Sequence, residues 1–133
     1  MAFANFVEQI YTLNRDVVFL PLRIPTNGAT TPVAANILGR GAVVTRTGVG
    51  VYTVVFNAGL SFPNALCLDA HLQLSAVGAT YAQVGTWVPS TRTLTINCTN
   101  GAGVAAEWPA ANANNVLSVL AVFTNSNQVP VKG

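Results

Sequence analysis

Residues 65–75 read ALCLDAHLQLS, and their side chains alternate between apolar and polar along the whole stretch. Successive side chains of a β-strand point to opposite faces, so this period of two predicts a half-buried strand. The residues assigned to its core face are Leu66, Leu68, Ala70, Leu72 and Leu74.

Runs of β-branched and aromatic residues recur at short intervals on both sides of this stretch. They predict further strands at residues 17–24, 42–47, 51–56, 81–88, 93–97 and 116–124. Gly50 and the residues before it predict a tight turn with a positive φ, and Pro21 predicts that the first strand lies at a sheet edge or is broken there. The fold class is therefore all-β: an antiparallel β-sandwich or small barrel of about seven strands, with a short N-terminal arm or helix.

The two ends of the chain differ from this β pattern. Large apolar side chains recur at spacings of three and four in residues 1–14, which fits one face of a short helix or, equally, an extended arm. So short a segment is marginal alone, so we expect it to bind this subunit or a neighbour. These predicted interface residues are Phe3, Phe6, Val7, Ile10 and Tyr11. Residues 125–133 form a polar tail, and residues 1–133 are predicted to form a single domain.

The composition is unusually poor in charge. The 133 residues include six basic side chains, four acidic ones and one histidine, while 51% are apolar. Ordinary soluble domains carry roughly a quarter charged residues, so much of this surface is uncharged, as at an interface. A net charge of +2 without adjacent basic residues argues against nucleic-acid binding. Apolar runs such as residues 17–22 fall far short of the roughly 18 residues of a membrane-spanning helix, and no signal peptide is expected.

Few residues offer chemistry. Asp69 and His71 share a strand face and resemble the orienting pair of a general base, but a polar strand face explains them more simply. One histidine, two cysteines and scattered carboxylates do not match a metal site, so we expect neither a cofactor nor an enzyme. Without an export signal, Cys67 and Cys98 are predicted to be reduced, buried thiols.

Three further residues are predicted to lie at an interface. Trp108 stands in a loop of alanine, glycine and asparagine, where we interpret it as an exposed aromatic anchor. Arg40 and Arg46 flank the glycine-containing hairpin. For the remaining aromatic residues, packing in the core or at an interface is favoured over ligand stacking.

Residues 39–56 read GRGAVVTRTGVGVYTVVF and resemble a recurring segment of small structural proteins of tailed bacteriophages. The LNRD phrase at residues 13–16, the alternating-leucine strand and the apolar C-terminal strand with its polar tail extend this resemblance. It implies a virion protein, most similar to capsid cement (decoration) proteins. Such a protein is made in the host cytoplasm, lies on the capsid surface and binds the major capsid protein across subunit junctions, commonly as a homotrimer.

Two alternatives remain open at this point. One is another virion component, such as a tail, head-fibre or spike-base protein, which only its location on the particle would distinguish. The other is a soluble carbohydrate-binding β-sandwich, which predicts an exposed cluster of aromatic rings beside polar groups. The low charge argues against the second alternative.

Overall fold

A computed structural model describes residues 17–39, 41–57, 64–75, 80–110 and 114–124 of the chain. Nearly all of the regular structure in these ranges is β-strand, with one 3-10 turn at Ala34–Asn36. The strands are β1 (Val17–Pro25), β2 (Ala42–Gly48), β3 (Val51–Phe56), β4 (Asn64–Gln73), β5 (Tyr81–Val88), β6 (Thr93–Thr99) and β7 (Val116–Thr124). The predicted all-β fold class is confirmed, and each predicted strand is present.

The strands form two antiparallel sheets. The three-stranded sheet has the order β1-β7-β4, and the four-stranded sheet has the order β2-β3-β6-β5. Pro21 lies in β1, an edge strand, as its missing backbone donor predicts. The architecture is consistent with a β-sandwich, because the inward-facing side chains of both sheets form one continuous core.

The core is built from the alternate residues of the two sheets. In β3 and β6 every second residue is buried, which is the burial pattern of a strand with one face on the core. Phe56 of β3 packs edge-on against Trp87 of β5 at 6.0 Å and against Phe123 of β7 at 5.2 Å between ring centroids. These edge-to-face contacts join the two sheets at one end of the core.

The alternating strand β4 contains a bulge that its sequence does not reveal. Ala65 pairs with Phe123 and Cys67 with Val122, so Leu66 is an extra residue in β4. The prediction that Leu66 lies in the core is wrong, because this side chain is 57% exposed. Cys67 is exposed as well, although it was predicted to be buried.

Beyond the bulge, the alternation of β4 holds. Ala70 is buried, while Leu68 and Leu72 are half-buried and pack against the core. Asp69 and His71 are exposed on the opposite face, as predicted. Leu74 follows the end of the strand and is half-buried.

The predicted hairpin at Gly50 is present, and β5 and β6 form a second hairpin. Between β2 and β3, Gly50 has a φ of +66°, and a Cβ at this position would lie 2.5 Å from the carbonyl oxygen of Cys98. Only glycine fits this turn without a shift of the backbone. Between β5 and β6, the backbone N–H of Arg92 donates to the carbonyl oxygen of Pro89 at 3.2 Å.

The predicted arm at residues 1–14, the tail at 125–133 and Arg40 lie outside the described residues. Within the described ranges, no helix has the length and apolar character that crossing a membrane requires.

Candidate binding surface

An ion pair between Arg46 and Glu107 lies at one end of the four-stranded sheet. Arg46 lies on the same face of β2 as the buried Val44, and Glu107 lies in the segment between β6 and β7. The Nε–H of Arg46 donates to Oε2 of Glu107 at 3.0 Å, and its Nη2 donates to Oε1 of the same carboxylate. The two side chains are 26% and 25% exposed. This two-point contact, with the hydroxyl of Tyr52 beside it, lowers the pKa of Glu107 from 4.5 to about 2.

An aromatic stack continues the network into the core. The rings of Tyr52 and Trp108 are parallel within 14°, and their centroids are 3.6 Å apart. The hydroxyl of Tyr52 donates to the carboxylate of Glu107 at 3.1 Å and accepts from the backbone N–H of Trp108 at 3.1 Å. The indole N–H of Trp108 donates to Sγ of Cys98 at 2.7 Å. The polar atoms of this stack therefore have partners inside the protein.

The titratable groups of this network do not change their protonation near neutral pH. Burial raises the pKa of Tyr52 to about 12 and the pKa of Cys98 to about 11. The hydroxyl and the thiol therefore both keep their protons, and Glu107 stays ionised. The arrangement suits a structural brace between β2, β3, β6 and the segment that carries Trp108.

The interpretation of Trp108 as an exposed anchor is wrong. Its side chain is 2% exposed, because the ring stacks on Tyr52 at one end of the core. The small residues around Trp108 in the sequence allow the loop to fold over the core. The same composition is also typical of an exposed loop, so it does not distinguish the two. Arg46, the second predicted interface residue in this region, is held by Glu107 and is partly exposed. The predicted interface residues of the N-terminal segment and Arg40 lie outside the described residues.

The outer face of the four-stranded sheet carries no ionisable group other than a tyrosine hydroxyl among its described side chains. We call it the neutral face. It comprises Val43, Thr45, Thr47, Val51, Thr53, Val55, Tyr81, Gln83, Gly85, Thr86, Val88, Thr93, Thr95, Asn97 and Thr99.

Strand register arranges these residues in rows across the sheet. Thr45 lies opposite Thr53, which lies opposite Thr95. The next row is more apolar, with Val43 opposite Val55. Neighbouring strands are about 4.8 Å apart, so the methyl and hydroxyl groups of a row are close-spaced.

Several apolar side chains of the neutral face are well exposed. The exposed fraction is 66% for Val43, 59% for Tyr81, 38% for Val88 and 37% for Val55. β-Branched side chains lose little rotamer freedom on contact, and no charge must be removed from water. The face is thus suited to burial against another uncharged surface.

The outer face of the three-stranded sheet differs in character. Ser118 of β7 lies between His71 of β4 and Arg23 of β1, and Asp69 is two residues from His71. These side chains border an open cleft of about 530 Å³. In the described part of the chain, no hydrogen bond joins Asp69 to His71, so Asp69 does not orient the imidazole in this structure.

The cysteines and acidic residues do not converge. Cys67 and Cys98 are both free thiols, as predicted, although only Cys98 is buried. No group of three or more histidine, cysteine, aspartate or glutamate residues within the described ranges could hold a metal ion.

Two features of the surface were not recognised in the sequence. Ala42, Val44 and Arg46 alternate on the core face of β2, and an arginine in that series calls for a counter-charge. That signal points to an acidic partner such as Glu107. The neutral face had a signal too, because the threonine and asparagine residues of TLTINCT at Thr93–Thr99 recur with a period of two.

A scan against protein-family models and searches of curated proteins and of solved structures found no match to this chain.

Proposed function

We propose that this protein is a capsid cement protein of a tailed bacteriophage, which stabilises the head by binding across junctions of the major capsid protein. The observation that carries the proposal is the neutral face, a four-stranded surface of valine, threonine and small polar side chains. The sequence resemblance at residues 39–56 supports the same function.

The energetics of such a face fit a structural contact. Burial of apolar surface contributes about 25 cal/mol per Å² before the costs of association are subtracted. A largely uncharged partner surface would make this burial favourable with few matched ion pairs. Binding of this kind depends weakly on salt, because salt screens charges.

The internal brace supports the proposal in a second way. The Arg46–Glu107 pair and the Tyr52–Trp108 stack fix the hairpin between β2 and β3 from the core side. A fixed sheet loses little conformational freedom on binding, which leaves more of the gross interaction energy as affinity. We therefore propose a binding protein without catalytic activity or cofactor, located on the virion surface.

We further propose that the protein acts as a homo-oligomer, with a trimer favoured by the resemblance to cement proteins. A tail, fibre or spike-base protein would use the same kind of face, so location on the particle discriminates these functions. For a carbohydrate-binding module the expected surface is a cluster of exposed rings. On the described neutral face, Tyr81 is the aromatic side chain exposed beyond half, and it has no second ring beside it.

The test compares purified particles that carry the protein with particles from which it is missing, heated at low and at high ionic strength. Cement activity predicts that loaded particles release their genome at a higher temperature and that the difference survives high salt. Equal disruption temperatures would contradict the proposal. Unchanged heat resistance combined with lost adsorption to the host would instead support the fibre or spike alternative.

A further inference from the structure

A notch opens at the valine end of the neutral face, and Arg92 is the cation among its described lining residues. The notch has a volume of about 470 Å³ and is lined by Gly41, Ala42, Val43, Val55, Phe56, Asn57 and Arg92. Val43 and Val55, the exposed valine pair of that row, form part of its wall. The notch therefore offers apolar contact beside a guanidinium.

The backbone at Arg92 is unusual. Its φ is +53°, and it is the one non-glycine residue with a positive φ among the described residues. The position follows a tight turn between two antiparallel strands, where glycine or asparagine adopts this conformation at less cost. An arginine here is strained, and strained positions concentrate where a side chain serves a function.

The side chain of Arg92 is anchored at one point and free at another. Its Nε–H donates to the carbonyl oxygen of Phe56 at 3.3 Å, while its own carbonyl oxygen accepts from the backbone N–H of Phe56. Within the described part of the chain, no carboxylate pairs with its guanidinium, and its Nη groups have no acceptor. The hydrogen bond to Phe56 fixes the direction of the guanidinium, whose Nη groups remain available as donors.

We propose that the Arg92 notch receives an aspartate or glutamate side chain, flanked by an aliphatic residue, from the protein that the neutral face covers. The identity of that protein rests on the proposed function, but the chemistry of the notch does not. Charge complementarity selects the occupant, because the notch presents two or more N–H donors of one cation beside valine side chains. A planar carboxylate matches this fork, and the aliphatic neighbour buries the valines.

The direct test follows the Nε–H resonance of Arg92 in ¹⁵N-labelled protein during titration with the capped peptide acetyl-Leu-Glu-Leu-amide. We expect a saturable shift of this resonance, no comparable shift for Arg23 on the other sheet, and no saturation with acetyl-Leu-Gln-Leu-amide. An equal response to the glutamine peptide, or tighter binding of inorganic phosphate, would overturn the proposal.

The second test measures binding of the Arg92→Gly variant to particles. Glycine tolerates a positive φ, so the variant should stay folded with a denaturation midpoint near that of the wild type, and Arg92→Asn gives an independent check. Loss of one charge-assisted contact should weaken binding about tenfold to hundredfold. The matched control Arg23→Gln removes a charge from the other sheet and should bind as the wild type does.

The two tests separate the notch from the proposed function. If wild-type protein fails to bind particles but the glutamate peptide still saturates the Arg92 resonance, the cement function is contradicted and the notch stands. If wild type and Arg92→Gly bind particles equally, the notch proposal is overturned and the cement function stands.

Discussion

The two faces of the four-stranded sheet are made by the same strands but have different surroundings. On the inner face, Tyr52 and Cys98 contact Trp108, and their polar atoms are satisfied inside the protein. On the outer face, Thr53 and Asn97 stand one residue away along the same strands and form part of an uncharged surface. The period of two therefore separates the core residues from the proposed binding surface, so substitutions should affect stability or binding but not both.

The largest expected effect on stability is at the inner face. Trp108→Ala should lower the free energy of unfolding by about 3–5 kcal/mol, because it removes a buried ring and leaves a cavity beside Tyr52. Chemical denaturation measures this loss. Tyr81→Ala on the neutral face is the matched control, and its 59% exposure predicts a change below about 1 kcal/mol. Equal losses would break the distinction between the two faces.

A smaller effect is expected in the three-stranded sheet. Leu68 and Leu72 are half-buried, so replacing either with alanine should cost about 1–2 kcal/mol, less than for a fully buried leucine. Gln73→Ala, on the exposed face of the same strand, should stay within about 0.5 kcal/mol. Leu66→Ala should resemble Gln73→Ala, because the bulge exposes Leu66. A loss at Leu66 as large as at Leu68 would contradict the bulge.

The contribution of the Arg46–Glu107 ion pair to stability should depend on pH. The pKa of Glu107 is lowered from 4.5 in the unfolded chain to about 2 in the folded protein, chiefly by Arg46. Between pH 4.5 and about pH 2, Glu107 therefore binds a proton when the protein unfolds. The contribution of the ionised carboxylate to the free energy of unfolding is complete above pH 4.5 and is lost as pH falls toward 2.

The variant Glu107→Gln isolates this contribution. At neutral pH it should unfold more easily than the wild type, and the gap should close as pH falls through that window. Denaturation curves recorded at several pH values measure the gap. A gap that stays constant down to pH 2 would contradict the folded-state pKa assigned to Glu107.

Local patterns were sufficient to predict the strands. Alternation in β4 and the turn residues around Gly50 are properties of adjacent residues, and both agree with the structure except at Leu66. The bulge at Leu66 is not local, because it depends on how β4 aligns with β7. A single inserted residue leaves the alternation of the sequence unchanged while moving the Leu66 side chain to the surface.

The site was harder to predict because its parts are far apart in the sequence. Arg46 and Glu107 are separated by 61 positions, and Tyr52 and Trp108 by 56. The composition around Trp108 fits both an exposed loop and a loop folded onto the core, so only tertiary packing distinguishes them. The neutral face has a local signal in β6, but its extent depends on the strand order that brings four separate strands together.

The most direct test of the central claim places a charge in the middle of the neutral face. Thr95→Lys should change the free energy of unfolding by no more than about 1 kcal/mol, because its aliphatic stem can lie along the sheet. Its binding to protein-depleted particles should fall at least about tenfold, because the contact would bury an unpaired ammonium. Ser118→Lys, on the central strand of the other sheet, should bind as the wild type does. Full binding by Thr95→Lys, or equal losses in both variants, would contradict the assignment of the neutral face as the binding surface.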